Sequence, residues 1–154
     1  MRILKRTKGL IFYALLLMGL NSFSQSINLK SLKWKNRVVL IVTNNTNDSL
    51  YYKQLSEFID NPKAFEERKL KVFDIQKNRA REITYTNGKT IIGSWFVNDA
   101  LYKKYSSRKT NFKTLLIGLD GGIKKIMKQK VFTKELLLTL IDGMPMRRSE
   151  VRKN

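Results

Sequence analysis

Two stretches of this chain are apolar at successive positions rather than alternate ones: Val38-Val39-Leu40-Ile41-Val42, and Leu115-Leu116-Ile117 with Thr114 before them. A strand with apolar side chains on both faces needs cover on both, so Arg37 to Thr43 is expected in the middle of a sheet. A second strand, Leu70 to Ile75, is separated from the first by a helical pattern, in which Tyr51, Leu55, Phe58 and Ile59 give an apolar face to a helix from about Ser49 to Ile59. Asn44-Asn45-Thr46-Asn47-Asp48 before it is a loop of side chains that hydrogen-bond their own backbone, and Asp48 or Asn47 can cap the helix. Asn61-Pro62 breaks the chain after it. The order strand, helix, strand makes a right-handed crossover with parallel strands the default.

The C-terminal part is the most consistent in its local signals. Lys113 to Leu119 and Ile123 to Lys128 flank Asp120-Gly121, a strong hairpin signal because both residues tolerate positive φ. The first strand is expected to be covered on both faces, and the second, with Lys124, Lys125 and Lys128, suits an edge. Thr133 then caps a helix with Glu135 in its first turn, where the dipole favours an acid, and Leu136, Leu137, Leu140 and Ile141 recur at helical spacing. Gly143 is expected to end it in a left-handed conformation, and Pro145 to prevent its continuation. Between Gln76 and Asn98, Glu82 to Thr86 and Thr90 to Gly93 flank Asn87-Gly88 as a small accessory hairpin. Asn98 and Asp99 are caps for a helix carrying Leu101 and Tyr105.

Thr114-Leu115-Leu116-Ile117, Asp120-Gly121-Gly122-Ile123 and Thr133-Lys134-Glu135-Leu136 resemble the last two strands and closing helix of a thioredoxin-fold protein. Leu140-Ile141-Asp142-Gly143-Met144-Pro145-Met146-Arg147-Arg148, with Leu32-Lys33-Trp34-Lys35-Asn36-Arg37, is more particular: it is similar to the thioredoxin-like family numbered 4174 among domains of unknown function. That family looks related to repeated domains in some vertebrate extracellular proteins with sushi repeats. The resemblance runs from roughly Ile27 to Arg152. It implies an α/β, thioredoxin-like three-layer sandwich, a mixed sheet with central parallel strands and a C-terminal β-hairpin followed by a packing helix. It supplies no agreed reaction. In thioredoxin-like enzymes the reactive cysteine lies where the first strand meets its helix, because the helix N-terminus lowers the thiol pKa. A gapless comparison puts Asn47 and Leu50 near the two redox cysteines, and Lys113 where such proteins usually have a cis-proline. Both hallmarks are missing.

Composition sharpens this. Arg2, Lys5, Arg6 and Lys8, an apolar run from Leu10 to Leu20 and the small residues of Ser22-Phe23-Ser24 read as a signal peptide over residues 1–24, too short for the ~20 residues of a spanning helix. No cysteine follows for lipid attachment. The expectation is an exported protein, periplasmic or secreted, with a single domain over 25–154, a core over about 32–146, a basic tail over 147–154 and no transmembrane helix after cleavage. Of 31 basic and 12 acidic residues, this segment holds four basic and no acidic ones, so the mature chain keeps 27 against 12. There is no cysteine and no histidine. Thiol redox chemistry is therefore excluded, and with it imidazole catalysis and the usual zinc sites.

Asp120 and Asp142 are the acids nearest the signature segments. An Asp in a glycine turn serves the turn, and an Asp at a helix end is solvated. Asn44-Asn45-Thr46 and Asn47-Asp48-Ser49 match the glycosylation pattern but read as a polar capping loop. Trp34 and Trp95 can stack on a base or sugar, though a lone Trp at a strand boundary is more often packed. No phosphate loop and no nucleic-acid motif is present, and no cofactor is expected. What remains is basic charge: Lys124, Lys125 and Lys128 on the edge strand and Arg147 and Arg148 in the tail form a candidate surface for an acidic envelope polymer or an acidic protein face. Met144 and Met146 are expected to anchor the tail and hold both arginines outward. The bland alternative is that edge lysines only prevent aggregation. Two functions stay open: a non-catalytic binding or adaptor domain, or a thiol-independent enzyme using Asn44, Asn45, Thr46, Asn47 and Asp48 opposite Lys113. A polar, empty pocket there favours the second and a solid surface the first.

Cleavage after Ser24 is the expected processing, so intact-mass measurement of the native protein gives a chain beginning at Gln25. Retention of Met1 to Ser24 would refute it.

Overall fold

The computed structural model describes residues 27–152; the signal-peptide expectation over residues 1–24 and the start at Gln25 lie outside them. After a 3-10 turn over Leu29–Leu32 come β1 (Arg37–Thr43), α1 (Ser49–Ile59), α2 (Pro62–Glu67), β2 (Leu70–Gln76), β3 (Arg79–Thr86), β4 (Lys89–Ile92), β5 (Phe96–Val97), α3 (Ala100–Tyr105), β6 (Phe112–Ile117), β7 (Ile123–Lys128), α4 (Lys134–Asp142) and α5 (Pro145–Val151). The strands form one mixed sheet in the order β4-β3-β2-β1-β6-β7, with β5 paired to β3. β1 is central, as its unbroken apolar run requires. It pairs in parallel with β2, Arg37 opposite Leu70 and Val42 opposite Ile75, and antiparallel with β6, Val38 opposite Ile117.

Alternation along β1 divides the core in two. Val39 and Ile41 face α1, α2 and α4 and pack among Tyr51, Phe58, Phe65, Leu137 and Ile141. Val38, Leu40 and Val42 face the other side, with Phe73, Ile75 and Leu101 and the partly buried Leu29 and Leu32. Asp48 caps α1, its side chain accepting from the Leu50 amide, and Thr133 caps α4 by accepting from Leu136. The Asn87-Gly88 hairpin is present, Thr86 opposite Lys89. Asn98 Oδ1 accepts from the Leu101 amide at the start of α3.

Several expectations are corrected. Pro62 does not end structure: Asn61 takes a left-handed φ of 68° and Pro62 opens α2, its missing N–H costing nothing in a first turn. Gly143 is right-handed, with φ −70°, and its amide bonds back to Thr139 and Ile141. Pro145 is again the first residue of a helix, so Arg147 and Arg148 lie in α5 and not in an extended tail. Of the α4 leucines, Leu137 and Ile141 are buried, whereas Leu136 is exposed. β6 ends at Ile117, because the Gly118 amide turns to the Gly122 carbonyl and Leu119 accepts from the Trp34 amide. Trp34 itself is 59% exposed, not packed.

One buried polar residue ties the layers together. Gln54 of α1 is inaccessible; its amide nitrogen donates to the Phe132 carbonyl at 2.9 Å, and its oxygen accepts from the Phe132 amide at 2.7 Å and from Thr114 Oγ1 at 3.2 Å. It thereby fixes the β7–α4 connection to both α1 and β6. Gln54→Leu keeps the volume and strands three polar groups, so it should cost about 2–5 kcal/mol. Urea unfolding of the two proteins checks it; an unchanged midpoint would show that water replaces the amide.

Candidate functional site

In α/β sheets ligands sit beyond the C-terminal ends of parallel strands, which here are Thr43 of β1 and Gln76 of β2. The loop after β1 is closed. Thr43 Oγ1 donates to the Asn45 carbonyl at 2.8 Å and accepts from its amide at 3.1 Å. Asn45 Oδ1 accepts from the Asn47 amide at 3.0 Å and Asp48 Oδ1 from Leu50 at 2.9 Å. Asn44 donates through its backbone to the Asn111 carbonyl at 2.8 Å and through its side chain to Ser107 at 3.3 Å, and accepts from the Tyr102 hydroxyl at 2.8 Å. Lys113 is adjacent, paired with Val42 across β1–β6. Burial and the neighbouring Lys128 hold its ammonium below the usual range. Asn44, Asn45 and Asp48 thus spend their side chains on hydrogen bonds within and beside the loop, with Thr46, Asn47 and Lys113 next to them, and none of these six residues lines any of the best-formed cavities among the described residues.

Beside β2 lies a polar cluster that sequence reasoning missed. Asp74 is inaccessible. Its Oδ2 accepts from the Tyr51 hydroxyl at 2.8 Å and from Arg81 Nε at 2.9 Å, while Oδ1 has no partner. Gln76 donates to the Tyr51 oxygen at 2.8 Å and accepts from Arg79 Nε at 2.8 Å. The guanidinium carbons of Arg79 and Arg81 each lie 4.4 Å from the Trp95 ring centroid. Burial raises the Asp74 carboxyl above the usual range against the opposing pull of Tyr51 and Arg81, and burial first, then Asp74, pushes the Tyr51 phenol up. The available signal was an acid between the apolar residues Phe73 and Ile75, two residues from Gln76. Tyr51 on α1 and Arg81 on β3 meet on one buried oxygen of β2, so the cluster reads as a brace between α1 and β3.

The basic residues are distributed unevenly. On β7, Lys125 opposes Leu116 and Lys128 opposes Lys113, so alternation puts them on opposite faces of the sheet edge. Lys124 is held by Asp120 at 2.6 Å. The α4–α5 junction does come to the start of β7: Lys124, Asp120 and Arg37 share a cavity of 250 Å³ with Met144, Pro145 and Met146. The two arginines split. Arg148 points out and is exposed. Arg147 is turned in, with 11% of its side chain exposed; its Nη1 donates to the Glu67 carbonyl at 3.0 Å, and Asp142 lies 3.5 Å from Nε and Glu150 3.7 Å from Nη1. Arg68 grips Asp142 with both Nε, at 2.9 Å, and Nη2, at 2.7 Å, which holds that carboxyl below the usual range. Arg68, Arg147, Arg148 and Arg152 line an open groove of 720 Å³ whose one acidic wall residue is Asp142.

Among the described residues no group of three or more metal-ligating side chains converges, and no helix is long and apolar enough to cross a membrane. The chain belongs to the family described as Domain of unknown function (DUF4174), whose model matches residues 28–150. The comparison with curated proteins and that with solved structures each gave no match.

The Asp74 carboxyl makes a pH prediction. Its native pKa is raised, so the folded state holds the proton more tightly than the unfolded state, and its contribution to stability falls as pH rises from the ordinary carboxylate pKa through the raised one. The stability of wild type minus that of Asp74→Asn should therefore decline with pH across that window, measured by chemical denaturation. A rising difference would mean that Arg81 and Tyr51 outweigh burial.

Proposed function

We propose that this family member is an exported, non-catalytic binding domain on a thioredoxin-like scaffold, and that it holds an anionic polymer in the groove of α5. The strand order β2-β1-β6-β7, with β1 and β2 parallel, β6 and β7 antiparallel and α4 following the hairpin, supports the thioredoxin-like reading. The basic leader and short apolar run of the first 24 residues support export. The absence of cysteine and histidine and the closed hydrogen-bonded loop after β1 weigh against the enzymatic alternative.

The groove carries the proposal. Four guanidinium groups stand around 720 Å³ of open space with one carboxylate among them. Arg68 and Arg147 are engaged with Asp142, Glu150 and Glu67, whereas Arg148 and Arg152 are exposed and have no acidic partner within ion-pair distance among the described residues. Arg152 caps the C-terminal end of α5 four residues after Arg148, about 6 Å further along the axis, a spacing that serves a ligand with repeated charges. Guanidinium forks match phosphate and carboxylate oxygens in geometry. Lys124, Lys125 and Lys128 add to the long-range positive field.

Polyphosphate binding at increasing salt tests this reading. Affinity should fall steeply with ionic strength. Arg148→Gln with Arg152→Gln should weaken binding about tenfold, ~1.4 kcal/mol, with the melting temperature nearly unchanged because both side chains are exposed. Unaltered, salt-insensitive affinity in the double variant would refute the groove.

A further inference from the structure

The charges under α5 are arranged around one carboxylate, Glu150. Arg37 Nη1 is 3.1 Å from Glu150 Oε2, Lys69 Nζ is 3.5 Å from Oε1, and Arg147 Nη1 is 3.7 Å from Oε2. Arg37 is the first residue of the central strand and its side chain is only 1% exposed. Its Nη1 also donates to the Arg68 carbonyl at 3.0 Å, but Nε and Nη2 are buried without a hydrogen-bond partner. Donors therefore exceed acceptors. A carboxylate brings two oxygens, whereas a phosphate or sulfate group brings three or four, and a buried guanidinium left half-satisfied gains from each further acceptor.

Glu150 is well placed to yield. It is the penultimate residue of α5, a helix with no buried residue of its own, and its side chain retains some exposure, 20%. Arg147 and Arg68 are shared with the 720 Å³ groove, so the cluster and the groove adjoin. Two other acids are near: Asp142 is held by Arg68 at 2.7 Å, and Glu67 lies 3.6 Å from Arg68. Asp142 also lies 3.5 Å from Arg147 Nε, but among the described residues only Glu150 pairs with Arg37 and Lys69 as well as with Arg147, which leaves it as the counter-ion that an incoming anion replaces.

We propose that Arg37, Lys69 and Arg147 form an oxyanion site for a phosphate or sulfate group, which Glu150 fills from within the chain until such a group displaces it. The inference deepens the polyanion reading by favouring phosphate or sulfate over carboxylate, and rests on it for the ligand's polymeric character only.

Inorganic phosphate is the probe, compared with sodium chloride at equal ionic strength. Glu150→Gln removes the internal occupant; phosphate should bind it at least about tenfold more tightly than wild type and raise its melting temperature by several degrees. Glu135→Gln, an equal charge change on an exposed position of α4, should behave as wild type. If Glu150→Gln folds only when phosphate is present, the site is supported equally. Lys69→Gln, at an exposed site member, added to Glu150→Gln should remove most of the phosphate stabilisation that Glu150→Gln shows. The site is overturned if phosphate stabilises Glu150→Gln no more than Glu135→Gln, if Glu150→Gln stays unfolded in phosphate, or if the double variant responds to phosphate as Glu150→Gln does. Polyphosphate binding that depends on Arg148 and Arg152 without a phosphate effect on Glu150→Gln would remove this site and leave the groove; the reverse pattern would remove the groove and leave the site.

Discussion

Everything in this fold is arranged around the double-sided burial of β1. Val38 to Val42 are each at most 2% exposed, and Arg37 and Thr43 at its ends are equally covered. A strand buried on both faces needs a partner on each edge and a layer over each face. β2 and β6 are the edge partners. α1, α2 and α4 cover one face, while α3 and the 3-10 turn cover the other. Burying each large aliphatic or aromatic side chain contributes roughly 1.5–3 kcal/mol, and two clusters built on one strand make the contribution of each layer depend on the other. Polar exceptions within this arrangement are correspondingly well defined. Gln54 satisfies three groups at once, and Tyr51 and Arg81 share one oxygen of Asp74.

The regular elements were legible because their signals were redundant. Asp48, the spacing of Tyr51, Leu55 and Phe58, and the break at Asn61 all bound the same helix, and the structure places it over Ser49–Ile59. β7 was equally plain, since lysines at successive positions have no place inside a sheet. What escaped notice followed the prolines. α1 and α4 do end before Pro62 and Pro145, but a residue with fixed φ and no donor fits a first helical turn as well as it ends a previous one. Neither α2 nor α5 exceeds seven residues, too short for a periodic pattern to announce itself.

That oversight propagated to the candidate surface. The expectation was that Met144 and Met146 anchor the segment and hold both arginines outward. In a helix, positions three apart share a face, so Arg147 points inward with Glu150 while Arg148 points outward. Asp74 was lost for another reason: pattern reading treats an acid between Phe73 and Ile75 as noise, and only the fold shows that Tyr51, 23 residues earlier, supplies its hydrogen bond. Conversely, the loop after β1 was singled out by resemblance to a redox fold, and the side chains of Asn44, Asn45 and Asp48 turn out to be spent on backbone groups and on Tyr102.

The placement of charge explains why a chain with this excess of basic residues can fold without cysteine bridges. Its cations fall into two populations. Arg37, Arg68, Arg81 and Arg147 are drawn into the structure, each against a carboxylate, and removing such a partner leaves an uncompensated buried charge. Lys125, Lys128, Arg148 and Arg152 are outside, where they contribute little to stability and generate the positive field. α5 is where the two populations meet on a single turn of helix. Met144, just before it, packs against the apolar core, but from Arg147 onward its attachment is ionic, and ionic contacts at a partly exposed surface are those that salt and competing anions weaken. A binding surface built on such a helix is coupled to the fold through exchangeable partners, so the same guanidinium groups can hold the helix in one state and a ligand in another without disturbing the apolar layers around β1.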